Sequence, residues 1–236
     1  MISRPSRRRL NTLLAVIAVS ILPTAASAQT VDDTSLWFAA FGNRPIRDRA
    51  DNDTPVRWWF DAHYRLFDDT DGFGQSIVRP GLGYDITDHQ TLWAGYAWIR
   101  TSPSSGDTFD ENRIWQQWTY APTAGDFRFL HRSRFEQRYF DNADDVALRW
   151  RQLARVQRVF DGSPYSLVAW DEIFFNLNDA NAIRAGLDQN RAFLGFGLQD
   201  VPLSPVRTEI GYLNQFINRQ GSIDGMNHIL SVNFFF

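Results

Sequence analysis

The sequence predicts an all-β chain: a single antiparallel transmembrane β-barrel of about twelve strands, with ten as the alternative, preceded by a cleaved leader. Three observations predict it. Segments in which every second residue is apolar recur from residue 35 to the end, with turn-like breaks between them. Alternation of this kind marks a strand with two different surroundings on its two sides. No segment keeps a helical period for more than a few turns, and beyond residue 28 the chain has no apolar run of the roughly 18 residues that a membrane-spanning helix requires. The mean hydropathy of −0.35 is that of a soluble protein, and a barrel has the same value because each spanning strand offers only alternate residues to lipid.

The chain opens with Arg4, Arg7, Arg8 and Arg9, an apolar stretch from Leu13 to Leu22, and Ala26-Ser27-Ala28 before Gln29. This pattern reads as a secretory signal peptide over 1–28 with a small-residue cleavage site, leaving 29–236 as one barrel domain with no Pro/Ser-rich linker. Loss of the leader's four arginines from 24 basic groups, against 27 acidic ones, leaves a formal charge near −7, which argues against a nucleic-acid partner. The absence of cysteine excludes disulfides, thiol nucleophiles and cysteine-ligated metals. The four histidines are scattered singly, without the spacing of a zinc site, and no cofactor is expected.

Taken in order, strands are predicted near 35–43, 55–67, 73–86, 91–101, 111–121, 126–140, 146–160, 165–178, 189–199, 205–217 and 227–236. Most are long enough to cross a bilayer, which takes about 9–11 residues per tilted strand. Short breaks at 87–90, 121–125, 161–164 and 200–204 alternate with breaks at 102–110, 141–145, 179–188 and 218–226, so the first set is expected in the periplasm and the second mostly outside. The stretch 178–188 has the composition of a short helical turn in a loop. Bacterial single-chain barrels have even strand numbers, so eleven segments imply one misread boundary. The charged stretch 44–53 makes 29–55 the expected place for it.

The strand at 126–140 separates its faces most clearly. Phe127, Phe129, Phe135 and Tyr139 share one side, and Asp126, Arg128, Arg132, Arg134, Glu136 and Arg138 share the other. An arginine facing lipid at mid-membrane costs about 2–4 kcal/mol, so the charged row is expected to line the lumen. The next strand repeats the pattern with Arg149, Arg151, Arg155 and Gln157. Further inward candidates are Arg113, Gln117, Glu172, Asn176, Arg191, Arg207 and Glu209. Every basic residue is Arg. The excess predicts a positive lumen, either a narrow pore for polar, anionic solutes or an interior plugged by paired Arg, Glu, Gln and Asn. The strand glycines Gly81, Gly83, Gly95, Gly186, Gly195, Gly197 and Gly211 fit bending around a tight circumference. Trp58, Trp93, Trp98, Trp118, Tyr120 and Tyr212 are candidates for interfacial girdles, some of them necessarily in the lumen.

In the last eleven residues His228, Leu230, Val232, Phe234 and Phe236 alternate with Asn227, Ser231 and Asn233. A chain stopping on an aromatic resembles the terminal strand of an outer-membrane barrel, and the resemblance makes Phe236 the membrane-assembly signal. Arg132-Ser-Arg-Phe-Glu-Gln-Arg-Tyr139, Asp171-Glu-Ile-Phe-Phe-Asn176, Gln189-Asn-Arg191, Gly211-Tyr-Leu-Asn-Gln215 and Asn227-His-Ile-Leu230 resemble, in order and spacing, the bacterial barrel family catalogued as domain of unknown function 2490. That resemblance spans essentially the whole mature chain. It implies a barrel in the outer membrane of a Gram-negative bacterium and supplies no established substrate or catalytic residue. The chain departs from the family's pattern at 43–55, which is longer and more charged than a short first turn.

One constellation carries possible chemistry. His131 and Ser133 sit two apart on the lipid-facing side of the 126–140 strand, with Gln152 and Asp171 outward on the next two strands. The pair resembles the arrangement in outer-membrane phospholipase A and lipid A deacylase, where His takes the Ser proton beside the membrane. Depth opposes it, because His131 is six residues above the turn, about 15 Å along the axis, where ester groups and water are scarce. The leading expectation is therefore a non-enzymatic, porin-like or structural barrel whose partners are outer-membrane lipid, the barrel assembly machinery and small anionic solutes. The alternatives are a lipid-modifying serine hydrolase using His131, Ser133 and Gln152, and a barrel that binds a protein partner.

Overall fold

The computed structural model describes residues 30–48, 50–67, 72–103, 106–199 and 206–236; residues 1–28, expected to be a leader, lie outside them. Twelve strands follow in order: β1 Thr30–Arg47, β2 Asp53–Phe67, β3 Gly72–Thr87, β4 Gln90–Thr101, β5 Phe109–Tyr120, β6 Thr123–Ala124, β7 Phe127–Phe140, β8 Ala147–Val159, β9 Tyr165–Asn176, β10 Gly186–Leu198, β11 Arg207–Ile217 and β12 Asp224–Phe235. Each long strand pairs antiparallel with the next, β5 pairs directly with β7, and β1 pairs with β12 to close the sheet. The result is a closed barrel of eleven staves plus one extra strand.

The eleven staves are the eleven segments of alternating sequence. The twelfth strand is not hidden in 29–55. It is the two-residue β6, which folds back on Phe127 and Arg128 around Gly125 at φ +57°. The residues between 43 and 55 instead lengthen β1 and β2 into one hairpin that overhangs the barrel. Its turn is held by Asp48, whose carboxylate accepts from the backbone N–H groups of Ala50 (2.8 Å) and Asn52 (2.9 Å). The Asn52 backbone N–H, the stronger influence, holds the Asp48 carboxyl below its usual range. Arg47 reaches Asp51 at 2.9 Å across the same turn.

An odd number of alternating staves makes the first and last run the same way, so the seam is parallel, in register from Thr30 opposite Asp224 to Phe41 opposite Phe235. Parallel ladders have evenly spaced, slanted hydrogen bonds and are only slightly weaker per residue. Phe236 extends this ladder by donating its N–H to the Phe41 carbonyl at 3.0 Å. Phe41 and Phe235 stack inside the seam at 5.1 Å. Outside it, the Phe236 ring lies by Trp58 at 6.3 Å. Gly42 is what admits them, since a Cβ there would lie 2.6 Å from both rings.

One end of the barrel carries the turns at 48–52, 88–89, 121–126 and 160–164 together with Phe236. The other carries residues 102–103 and 106–108 and the connections at 141–146, 177–185 and 218–223, together with the start of β1. The break at 200–204 lies outside the described residues. The 178–188 segment forms no helix: its backbone makes one isolated bridge between Ala180 and Ile183 and a left-handed kink at Asn181, because its Asn and Asp side chains bond backbone in place of a helical ladder. Large apolar side chains such as Leu82, Leu92, Leu194, Phe196, Ile210 and Leu230 stand exposed around the outer wall. Trp58, Trp98, Trp118, Tyr120 and Tyr212 share that wall, whereas Trp93 faces inward and is buried.

Several strand glycines serve the interior rather than curvature. A Cβ at Gly81 or Gly95 would lie 2.5 Å from the Trp115 ring, and at Gly195 or Gly211 2.6 and 2.7 Å from Phe193. Each pair of cross-strand glycines is a slot for one aromatic ring lying flat against the wall.

Candidate functional site

The inner face is set by register. Odd positions on β1–β5, β8 and β10–β12 and even positions on β7 and β9 form one continuous surface. Arg132, Arg134, Glu136 and Arg138 on β7 lie on it, as do Arg149, Arg151 and Arg155 on β8, Glu172 and Asn176 on β9, Arg191 on β10, and Arg207 and Glu209 on β11. Arg128 shares the face at the rim, where it bonds Gln199 at 3.3 Å.

Buried carboxylates organise these arginines. Glu136 accepts from Arg149 and Arg151, each at 2.7 Å, with Arg113 at 3.6 Å. Glu172 takes Arg132 at 2.7 Å and Arg151 at 2.8 Å. Glu111 joins Arg113 and Arg138 (2.5 and 2.6 Å), which stand directly opposite each other on β5 and β7. Glu209 holds Arg155 at 2.5 Å across the interior from β11 to β8. Arg134 faces Arg151 in register and is fully buried. Its Nε donates to Gln117 at 2.8 Å, its two Nη groups have no hydrogen-bond partner, and its guanidinium lies 4.8 Å from the Trp115 ring.

The sequence pattern did not reveal a second part of the lumen, on β1–β4. Asp61 is fully buried and accepts from Arg79 (3.0 Å) and Trp59 Nε1 (2.7 Å), with His63 Nε2 at 2.9 Å. Trp37, Trp59, Trp93 and Trp115 face inward, and of them only Trp93 is among the girdle candidates. The only signal was the odd-numbered series Arg57, Asp61, His63, Arg65 on β2. The lumen thus holds two apolar clusters, one around Trp93 and Trp115, the other around Trp37, Phe193 and Leu213.

A cavity of about 880 Å³ occupies the remaining space, lined by Asp88, His89 and Phe235 near one end and by Val31, Pro103 and Arg219 near the other. His63 lines it, and among the described residues its hydrogen-bond partner is Asp61. Among the described residues no group of three or more His, Asp or Glu is placed to hold a metal ion.

His131, Ser133 and Gln152 lie on the outer wall. Ser133 Oγ accepts from Gln152 Nε2 at 2.6 Å and from Trp150 Nε1 at 3.0 Å. His131 packs edge-on against Trp118 at 5.6 Å, and no hydrogen bond joins it to Ser133. Asp171 accepts both its bonds from Asn190 at 3.0 Å. Ser133, Gln152 and Asp171 thus find hydrogen-bond partners between neighbouring strands, and His131 is held by ring contact alone.

Fold and interior together define a closed β-barrel with a charged, arginine-rich core. Residues 34–227 match the family described as a protein of unknown function, DUF2490, and the chain belongs to that family. It is also similar to an uncharacterized protein of Methylorubrum extorquens, 32% identical over 236 residues that cover 97% of this chain and 98% of the relative. No solved structure matches the chain.

Proposed function

We propose that the protein is a non-enzymatic barrel of the bacterial outer membrane whose narrow lumen admits small anionic solutes. The observation that carries this reading is the make-up of the cavity wall: twelve arginines line it against six aspartates and glutamates. Fixed charge of one sign inside low-dielectric walls concentrates counter-ions. The apolar outer wall supports the membrane part, because side chains such as Phe196 (61% exposed) and Leu82 (60%) would cost free energy in water and gain it in lipid. The arginine-rich leader, which would direct export, and Phe236, which would be the end presented to the assembly machinery, support the location.

The test is reversal-potential measurement in planar bilayers under a salt gradient. The wild type is expected to pass anions over cations. Arg57→Glu and Arg219→Glu, at the two mouths, are expected to reduce that preference several-fold. Absence of conductance, or a cation-selective wild type, overturns the pore reading.

A further inference from the structure

Arg65, which is buried, and Arg191, which is half-buried, differ from the other arginines of the lumen: among the described residues neither has a carboxylate within ion-pair distance. Arg65 is buried and has one neutral acceptor, Gln75 Oε1 at 2.6 Å; its Nε has none. Arg191 faces Glu172 in register without ion-pair contact, and the Gln215 amide, with its oxygen turned toward Arg191, would accept from Nη2 and Nε at 3.1 and 3.3 Å. Both guanidinium groups lie over the same ring, that of Trp37, at 3.9 and 5.0 Å from its centroid. The Trp37 indole N–H is itself buried without a partner.

Two cations converging on one ring, with two unsatisfied donors and no carboxylate in ion-pair contact, are costly without a ligand, although Glu172 stands opposite Arg191 in register. An uncompensated buried charge is worth several kcal/mol against folding, and an unpaired buried donor about 1–3. Stacking on an aromatic face recovers part of this but satisfies no N–H. The missing partner is an acceptor-rich anion. Trp37 also packs with Val168, Phe193, Leu213 and Ile229, with Phe67 and Trp170 against that cluster. An inorganic anion would leave this apolar wall unused, and a zwitterion would bring an ammonium beside two guanidiniums.

We propose that Arg65, Arg191 and the Trp37 indole N–H form a binding site, open to the lumen cavity, for a small organic carboxylate with an apolar body. The two guanidiniums and the indole N–H hold the carboxylate oxygens through charge-assisted hydrogen bonds, and Leu213, Phe67 and Trp170, the members of the cluster that line the cavity, take the apolar part. The proposal rests on the reading of the lumen as accessible to solutes, but equilibrium binding needs no conduction. Binding without conductance therefore removes only the pore, and anion conductance without binding removes only this site.

The experiment is isothermal titration of the full barrel, folded in maltoside micelles, with benzoate, and with benzamide and inorganic phosphate in parallel. Benzoate is expected to saturate one site and to bind at least tenfold more tightly than either of the others. Arg65→Gln and Arg191→Gln are each expected to weaken benzoate at least tenfold with heat-modifiable gel migration intact. Should either variant fail to fold, Trp37→Phe keeps the ring, removes the N–H and is expected to weaken benzoate several-fold. Equal binding of phosphate or benzamide, wild-type affinity in a folded variant, or no saturable binding of benzoate overturns the proposal.

Discussion

Glu136 and Arg134 stand two residues apart on the same face of β7, both fully buried, and substitution is expected to affect them oppositely. Glu136 is the acceptor for Arg149 and Arg151, so Glu136→Gln leaves two buried guanidiniums short of negative charge. Removing one partner of a buried ion pair costs about 3–5 kcal/mol, and urea unfolding of the folded barrel should show a loss of that order. Arg134 has two Nη groups without hydrogen bonds and a carboxylate no nearer than 3.9 Å. Arg134→Met, similar in volume and free of donors, is expected to be neutral or stabilising in the same assay. Arg134 does not line the cavity, so Arg134→Glu is expected to lower stability and not to tune selectivity. The charged rows on β7 and β8 were legible because Arg alternates there with Phe, Trp and Val. The facing wall was not, because Trp37, Trp59, Trp93 and Trp115 occupy inward positions where polarity would have marked the face, and glycine slots let the rings lie there. The unpaired state of Arg65 and Arg191 was invisible for a different reason: it depends on which acids the closed barrel brings within reach.

Among the elements, the β1–β12 seam decides whether the sheet is a barrel or an open ribbon. Strand existence follows from local alternation and could be read segment by segment, as the eleven staves were. The direction of the closing pair is a property of the whole count, and no local residue pattern reports it; an even number is expected from sequence only because bacterial single-chain barrels have one. The seam concentrates a dependence on small and aromatic residues. Phe236 contributes both a backbone bond to Phe41 and a ring that needs the space at Gly42. Deleting Phe236 and substituting Gly42→Val are therefore expected to give one phenotype: loss of the heat-modifiable folded band, with export unchanged. Normal assembly of Gly42→Val would show that the Phe236 and Trp58 rings do not occupy that space. Ser133→Ala on the outer wall removes only an acceptor shared by Gln152 and Trp150 and is expected to leave assembly unchanged.

At the scale of the whole molecule, the odd number of staves fixes a topology that an even barrel cannot have. The start of β1 lies beside the start of β12, at the end carrying the 141–146, 177–185 and 218–223 connections, while Phe236 lies at the opposite end with the tight turns. If the Phe236 end faces the periplasm, as the proposed assembly role requires, the first residues of β1 face outward together with those connections. The chain has no cysteine, so single cysteines report sidedness without background. Asp32→Cys and Asp144→Cys should react with a membrane-impermeant maleimide on intact cells, and His89→Cys only after the outer membrane is opened. In a barrel of ten or twelve staves, the start of the first strand would lie at the His89 end instead. Protection of Asp32→Cys together with labelling of Asp144→Cys would therefore reject the parallel seam, whereas protection of both with labelling of His89→Cys would keep the seam and invert the orientation.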